Sequence, residues 1–162
     1  MDDSAESTLF RQVLGHFATG VTVVSAYADG PVGLAVGAFF SVSLEPPLVG
    51  FCVRQSSGTW PLIETAGSFC VNVLGEDQEA VSRRFASPGI ERHARFEGLA
   101  WNQTPSGAPR LIDAIAWIDC RVDAVHPAGD HFLCIGRVET MAVEHEGGPL
   151  IFFRSGYGRF AP

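Results

Sequence analysis

The chain contains no lysine; all eleven of its basic residues are arginine. That absence removes Schiff-base chemistry, a phosphate-loop lysine and a lysine general base. An anionic group must instead be held by arginine, hydroxyls or main-chain N–H groups. Charge of either sign is scarce. Asp, Glu, Lys and Arg together make up 18%, below the roughly 25% usual for globular domains, so part of the surface is expected to lie against another subunit. The excess is acidic, 18 Asp and Glu against 11 Arg for a net charge of −7, which argues against nucleic acid and membrane partners. The four cysteines, Cys52, Cys70, Cys120 and Cys134, form no tight pair, so zinc and dithiol motifs are missing. Each lies in an apolar run and reads as a buried thiol in a reducing, cytoplasmic setting. The longest apolar stretch, residues 32–40, is too short to span a bilayer, and the acidic start, residues 2–6, has no targeting pattern. There is no G-x-G-x-x-G between strand and helix and no G-x-S-x-G, and His16, His93, His126, His131 and His145 lack metal-ligand spacing, so no metal is expected.

What the chain does have is strands. Its 162 residues read as one domain, 1–162, burying about two-thirds of its extended surface. Ser7 is placed to cap a first helix with Phe10, Val13, Leu14 and Phe17 on one face and Gly20 at its end. Strands are expected over residues 21–28 and 32–40, joined by the turn Asp29-Gly30-Pro31, and over 48–53, with Pro46-Pro47 forbidding ladder pairing between. Thr59 is a candidate cap for a short helix closed by Gly67. A strand over 68–74 and a helix over 76–85 follow, the helix with acids early and Arg83 and Arg84 late. Residues 87–111 read as a long polar connection of the kind that carries function or mobility. A hairpin of strands 115–125 and 132–143 and a last strand, 150–153, complete about seven strands. Helices do not alternate with them, so the fold class is mainly β, a small antiparallel β-barrel with a few helices.

Three places carry candidate chemistry, each with a plainer alternative. Ser56, Ser57, Gly58 and Thr59, beside Arg54, form either an anion site or a capping loop. His131 is either a turn residue bonded to Asp130 or a flat side chain against an aromatic ligand. Ser82-Arg83-Arg84-Phe85 ends a helix, and its arginines either complement the helix dipole or turn one guanidinium toward an anionic ligand.

Several stretches in order resemble one family: residues 17–24 (FATGVTVV), 31–34 (PVGL), Phe39 with 41–49 (SVSLEPPLV), 69–74 (FCVNVL), 82–86 (SRRFA), Gly129-Asp130-His131 and 150–157 (LIFFRSGY). Together they cover nearly the whole chain and are similar to the short-chain NAD(P)H:flavin reductases, the reductase components of two-component flavin-dependent monooxygenases. The resemblance implies a split-barrel homodimer that reduces free FMN or FAD with NADH or NADPH, NADH being favoured because no basic cluster marks a 2′-phosphate site. Hydride would pass from nicotinamide C4 to flavin N5, and the reduced flavin would diffuse to a separate monooxygenase. Carried onto this chain, the flavin lies along Gly33, Leu34, Ala35, Gly37, Ala38 and Phe39 and beside Cys52, Val53 and Arg54. Its phosphate falls at Ser57, Gly58 and Thr59, with Arg84 and Phe85 reaching it. His131 contacts nicotinamide, and Arg154 and Tyr157 lie near the cofactors. One departure stands out: Ala35, Gly37 and Ala38 replace the Thr, Asn or Ser, and Ser of many relatives. The missing side-chain bonds imply main-chain contacts and a flavin that exchanges as a substrate. The competing reading is a non-catalytic dimer that binds flavin or a flavin-like ligand on the same barrel.

Overall fold

The computed structural model describes residues 5–162, so residues 2–4 of the acidic start lie outside the described residues. In chain order the elements are α1 (Ala5–Leu14), β1 (Thr19–Gly20), β2 (Thr22–Tyr27), β3 (Pro31–Val36), β4 (Phe39–Leu44), β5 (Pro47–Arg54), α2 (Trp60–Ala66), β6 (Ser68–Val73) and α3 (Glu79–Ala86). After a 3-10 turn (Ala94–Phe96) come β7 (Trp101–Gln103), β8 (Pro109–Leu111), β9 (Ala116–Ala128), β10 (His131–Val143), β11 (Leu150–Phe153) and β12 (Gly156–Arg159). Seven strands form one antiparallel sheet in the order β3-β2-β6-β9-β10-β5-β4.

That order dictates the shape. β3 and β4 are the two edges of the sheet, yet only Gly37 and Ala38 separate them in the chain. Three peptide steps reach about 11 Å at most, so the sheet curls until its edges meet there. Ala38 accepts a bond from the Cys52 N–H at 3.2 Å, tying the link to β5. Beyond that point no ladder joins β3 to β4 among the described residues, and the edges diverge. The barrel is split.

Alternation within β2 feeds two cores. Val24 and Ala26 face the barrel interior with Phe51, Phe69, Val71, Trp60 and Ile63, while Val21 and Val23 face outward onto Leu74, Phe85, Phe96, Leu111 and Leu150. The helix α2 carries Trp60 and Ile63 into the interior, has Pro61 in its first turn and ends at Gly67, whose φ of 74° is the left-handed conformation a C-cap requires.

Several expectations change. Ser7 stands inside α1, and the helix ends at Leu14, with Gly20 in β1. Residues 32–40 are two strands, because the sheet edge ends at Gly37. Pro47 does enter the ladder, opposite Leu44 as the first residue of β5, where a missing N–H is tolerated. The helix expected over 76–85 starts at Glu79, since Gln78 turns back to accept the Gly75 N–H at 2.9 Å. The long connection holds a hairpin, β7–β8, fastened by the buried Asp119. Its carboxylate accepts bonds from the Thr104 hydroxyl (2.7 Å) and the Ser106 N–H (3.0 Å) and hydroxyl (2.6 Å). The strand β12 was not foreseen. Among the described residues no helix is long and apolar enough to cross a membrane.

Candidate functional site

The split leaves an open groove of about 750 Å³, inside the roughly 300–1,000 Å³ of pockets that hold small ligands and cofactors. One wall is the end of β3 and the link after it, from Leu34 through Ala38. The other is the end of β5, Cys52-Val53-Arg54, with His131 beside it. The loop 56–59 and the end of α3, through Phe85 and Ala86, close it with Pro88, Arg92 and Arg95.

His131 is placed by two strands. It opens β10 opposite Arg54 of β5, after the two-residue turn Gly129-Asp130, in which Gly129 has φ 63°. The loop after β5 grips that turn: the Gln55 N–H donates to Asp130 O (3.0 Å), and Gln55 Nε2 donates to the carbonyls of Gly129 (3.2 Å) and His131 (3.3 Å). Asp130 Oδ1 lies 2.6 Å from His131 Nδ1. With Nδ1 donating, Nε2 is left for the groove, and this bond is also what lowers the Asp130 carboxyl below its usual range.

In the phosphate-type loop Thr59 holds the cap position but makes no capping bond. Ser57 does so instead, its Oγ accepting from the N–H groups of Thr59 (3.3 Å) and Trp60 (3.2 Å), and its hydroxyl proton remains to donate. No other atom lies within 4 Å of where a Gly58 Cβ would sit, so that stretch faces open space.

The electrostatics are one-sided. Arg54, Arg92, Arg95 and His131 line the groove, and no carboxylate does, in a chain of net charge −7. Arg95 is the most embedded: NH1 donates to Gly33 O (3.0 Å), NH2 donates to Ser87 O (3.1 Å), and Nε is buried with no partner among the described residues. Desolvation lowers its pKa below the ordinary arginine range.

Of the residues singled out from sequence, Leu34, Ala35, Gly37, Ala38, Cys52, Val53, Arg54, Ser57, Gly58, Thr59, Phe85 and His131 come together in this groove. Five do not line it. Gly33 backs it, a Cβ there meeting Phe85 Cε1 at 3.0 Å. Phe39 packs on the barrel core. Arg84 turns to the Glu97 carbonyl. Tyr157 bonds Ser82 Oγ at 2.9 Å under the Arg83 guanidinium. Arg154 lines a separate cavity of about 190 Å³ with Gly15 and His16. Sequence reasoning missed Arg92 and Arg95; the one signal for them was the length of the polar connection that holds them.

Comparison with known proteins agrees with this fold. Residues 14–161 match the family model described as flavin reductase like domain. A flavin reductase from Pseudomonas putida is 49% identical over 94% of this chain and 89% of its own. Component B of nitrilotriacetate monooxygenase from Mycobacterium thermoresistibile superposes with a TM-score of 0.92 at 41% identity, covering 97% of this chain and 88% of that one. The NADH:FAD oxidoreductase SgcE6 of Streptomyces globisporus, in complex with NAD and FAD fragments, does so at 0.91 and 32% identity, covering 100% and 97%. With its sheet closed only at Ala38 and split beyond it, and the likeness running almost end to end, the chain belongs to the flavin reductase-like family.

Proposed function

We propose that the groove binds a flavin between β3 and the end of β5 and receives the nicotinamide of NADH against His131. The chain is an NAD(P)H-dependent flavin reductase. The observation that carries the site is the acid-free groove with three arginines in an acidic chain, which concentrates anionic ligands there. The residues fit a flavin: Arg54, Ser57 and Thr59 offer donors for a phosphate, and the small Ala35, Gly37 and Ala38 let a flat ring approach the main chain. When bound, the flavin supplies a ring nitrogen that takes a hydride, two electrons and a proton, from the nicotinamide. The chain's own part is to bind and orient. Asp130 fixes the ring of His131, and Gln55 fixes the turn that carries both. No side chain need transfer a proton.

The reduced flavin leaves the open groove for a separate monooxygenase, a reading supported by the monooxygenase component among its relatives. We read the chain as a homodimer. Its accessible surface, 9234 Å², exceeds the roughly 7,900 Å² of a compact monomer of this mass. The helix α1 buries nothing and leaves Phe10, Val13 and Leu14 exposed, and sedimentation as a single 17.4 kDa species would remove that reading. Four free thiols fit a reducing cytoplasm.

The test is the loss of NADH absorbance with FMN and with FAD, repeated with NADPH. Turnover with NADH is expected, and no flavin-dependent loss refutes the function. His131→Ala raises the NADH KM about tenfold, one contact's worth, and leaves flavin affinity as it was. Unchanged kinetics refute the role of His131.

A further inference from the structure

The ladder between β5 and β10 ends at the pair Arg54 and His131, and beyond that pair each strand runs into a loop at the groove. Past Arg54 the chain makes a β-turn, closed by the Ser57 N–H donating to Arg54 O at 3.0 Å. Gln55 is the second residue of that turn and Ser57 the last. Before His131 stands the turn Gly129-Asp130. The successive carbonyls of Gly129, Asp130 and His131 all accept from Gln55. Its main-chain N–H serves Asp130, and its side-chain amide serves the other two.

Gln55 is exposed and does not line the groove, although Arg54 and Ser56 on either side of it do. An exposed amide is free to bond water, and fixing it costs side-chain entropy. Here it is fixed on one turn. Two segments with separate duties are thereby joined: Ser57 and Thr59 face a phosphate, and His131 faces the nicotinamide.

We propose that Gln55 couples the two ligands. A phosphate held by the 54–59 loop raises the affinity for nicotinamide at His131, and Gln55 transmits the effect. A phosphate that restrains Ser57 restrains the β-turn containing Gln55, and through three bonds the turn that carries His131. The second ligand then meets a site already ordered and pays less of that cost. The effect is reciprocal, so nicotinamide tightens the phosphate equally. Charge alone would act the other way, one phosphate repelling the diphosphate of NADH. Gln55 is a positioning residue, acting through the turn it holds. This rests on the flavin and nicotinamide reading above and deepens it with a regulation of the same site.

The test compares FMN with riboflavin, which has the same redox ring and no phosphate, by NADH oxidation at saturating flavin. In wild type the NADH KM is expected to be lower with FMN by about fivefold or more, the low end of typical couplings. Gln55→Ala keeps the main-chain bond, with the circular dichroism unchanged, and the ratio of the two KM values should fall toward one. A merely structural role raises both values and leaves their ratio. Equal wild-type values, with both flavins turned over, overturn the coupling, and a ratio that survives in Gln55→Ala overturns the role of Gln55. No turnover with FMN refutes the function itself. Hydrogen exchange gives a reading that needs no riboflavin: FMN is expected to slow exchange across residues 129–132 in wild type and not in Gln55→Ala. No slowing in wild type, or the same slowing in both, overturns the proposal.

Discussion

Asn72 touches no part of the groove, yet its replacement by alanine is expected to loosen it. The amide is fully buried. Its Nδ2 donates to Val23 O (3.0 Å) and Ser25 Oγ (2.9 Å), and its Oδ1 accepts the Leu111 N–H at 2.8 Å. Three strands thus meet on one side chain: β2, its own β6, and β8 of the hairpin. That hairpin carries Trp101, which packs edge-on to Phe96 (6.1 Å between centroids), which packs on Phe85 of the groove wall (4.9 Å). Truncation orphans the buried Leu111 N–H at about 1–3 kcal/mol and forfeits two further bonds at about 0.5–1.5 kcal/mol each. The sum centres on about 4 kcal/mol. For a chain of this size that lowers Tm by roughly 8–16 °C. Urea unfolding of Asn72→Ala, followed by Trp fluorescence, measures it directly. Flavin affinity should fall as well, because Phe85 loses its backing. A loss below about 1 kcal/mol, less than one orphaned N–H, refutes the reasoning that this amide fastens the hairpin.

Two more outcomes follow from the titrating groups. Burial pushes the thiols of Cys120 and Cys134 up to about 12 and that of Cys70 higher still, while Cys52 lines the groove; the thiolate is the nucleophile. Iodoacetamide at mildly alkaline pH should therefore add once per native chain, at Cys52, and FMN should slow it; two adducts in intact-mass spectra refute this. Glu144 accepts from the Trp117 indole N–H at 2.7 Å, and that bond, with Arg110, holds its carboxyl below the ordinary 4.5. A depressed carboxyl stabilises the fold above its unfolded pKa and loses that contribution as pH falls through its folded value. Trp117→Phe removes the donor, so the Tm gap between wild type and variant should narrow on acidification below the ordinary 4.5; a gap that widens contradicts the sign.

Local chemistry was legible and long-range closure was not. The β-branched run of β2, the left-handed Asp29-Gly30 turn (φ 53° and 128°) and the Gly129-Asp130 hairpin announce themselves through residues only those conformations suit. The break in residues 32–40 has no such signal. The stretch is apolar throughout, and what ends β3 at Val36 is the curling of a sheet whose other edge is β4. The strand β12 is hidden because its turn is Arg154-Ser155, both at positive φ (50° and 63°), where Asn-Gly would have given the signature. Arg92 and Arg95 were passed over because nothing local separates a groove arginine from a solvated one. It is Gly33, 62 residues away in sequence, that gives Arg95 its place. Arg84, the more conspicuous candidate beside Phe85, spends its guanidinium on Glu97.

A split barrel creates the difficulty that it then uses. Closing a sheet removes exposed edges, and this one closes only at Ala38 and Cys52, leaving an edge along β3. An open edge invites pairing with another chain. Here two side chains from one loop, His93 and Arg95, cover it up to Gly33 without adding a strand. Beyond Gly33 lies the mouth of a cationic groove. In a site open to solvent the residence time of a ligand governs its affinity, because differences among related complexes lie mostly in the off-rate. Side-chain donors at Ala35, Gly37 and Ala38 would lengthen that residence. Their absence suits a chain whose product has to leave before it is of use.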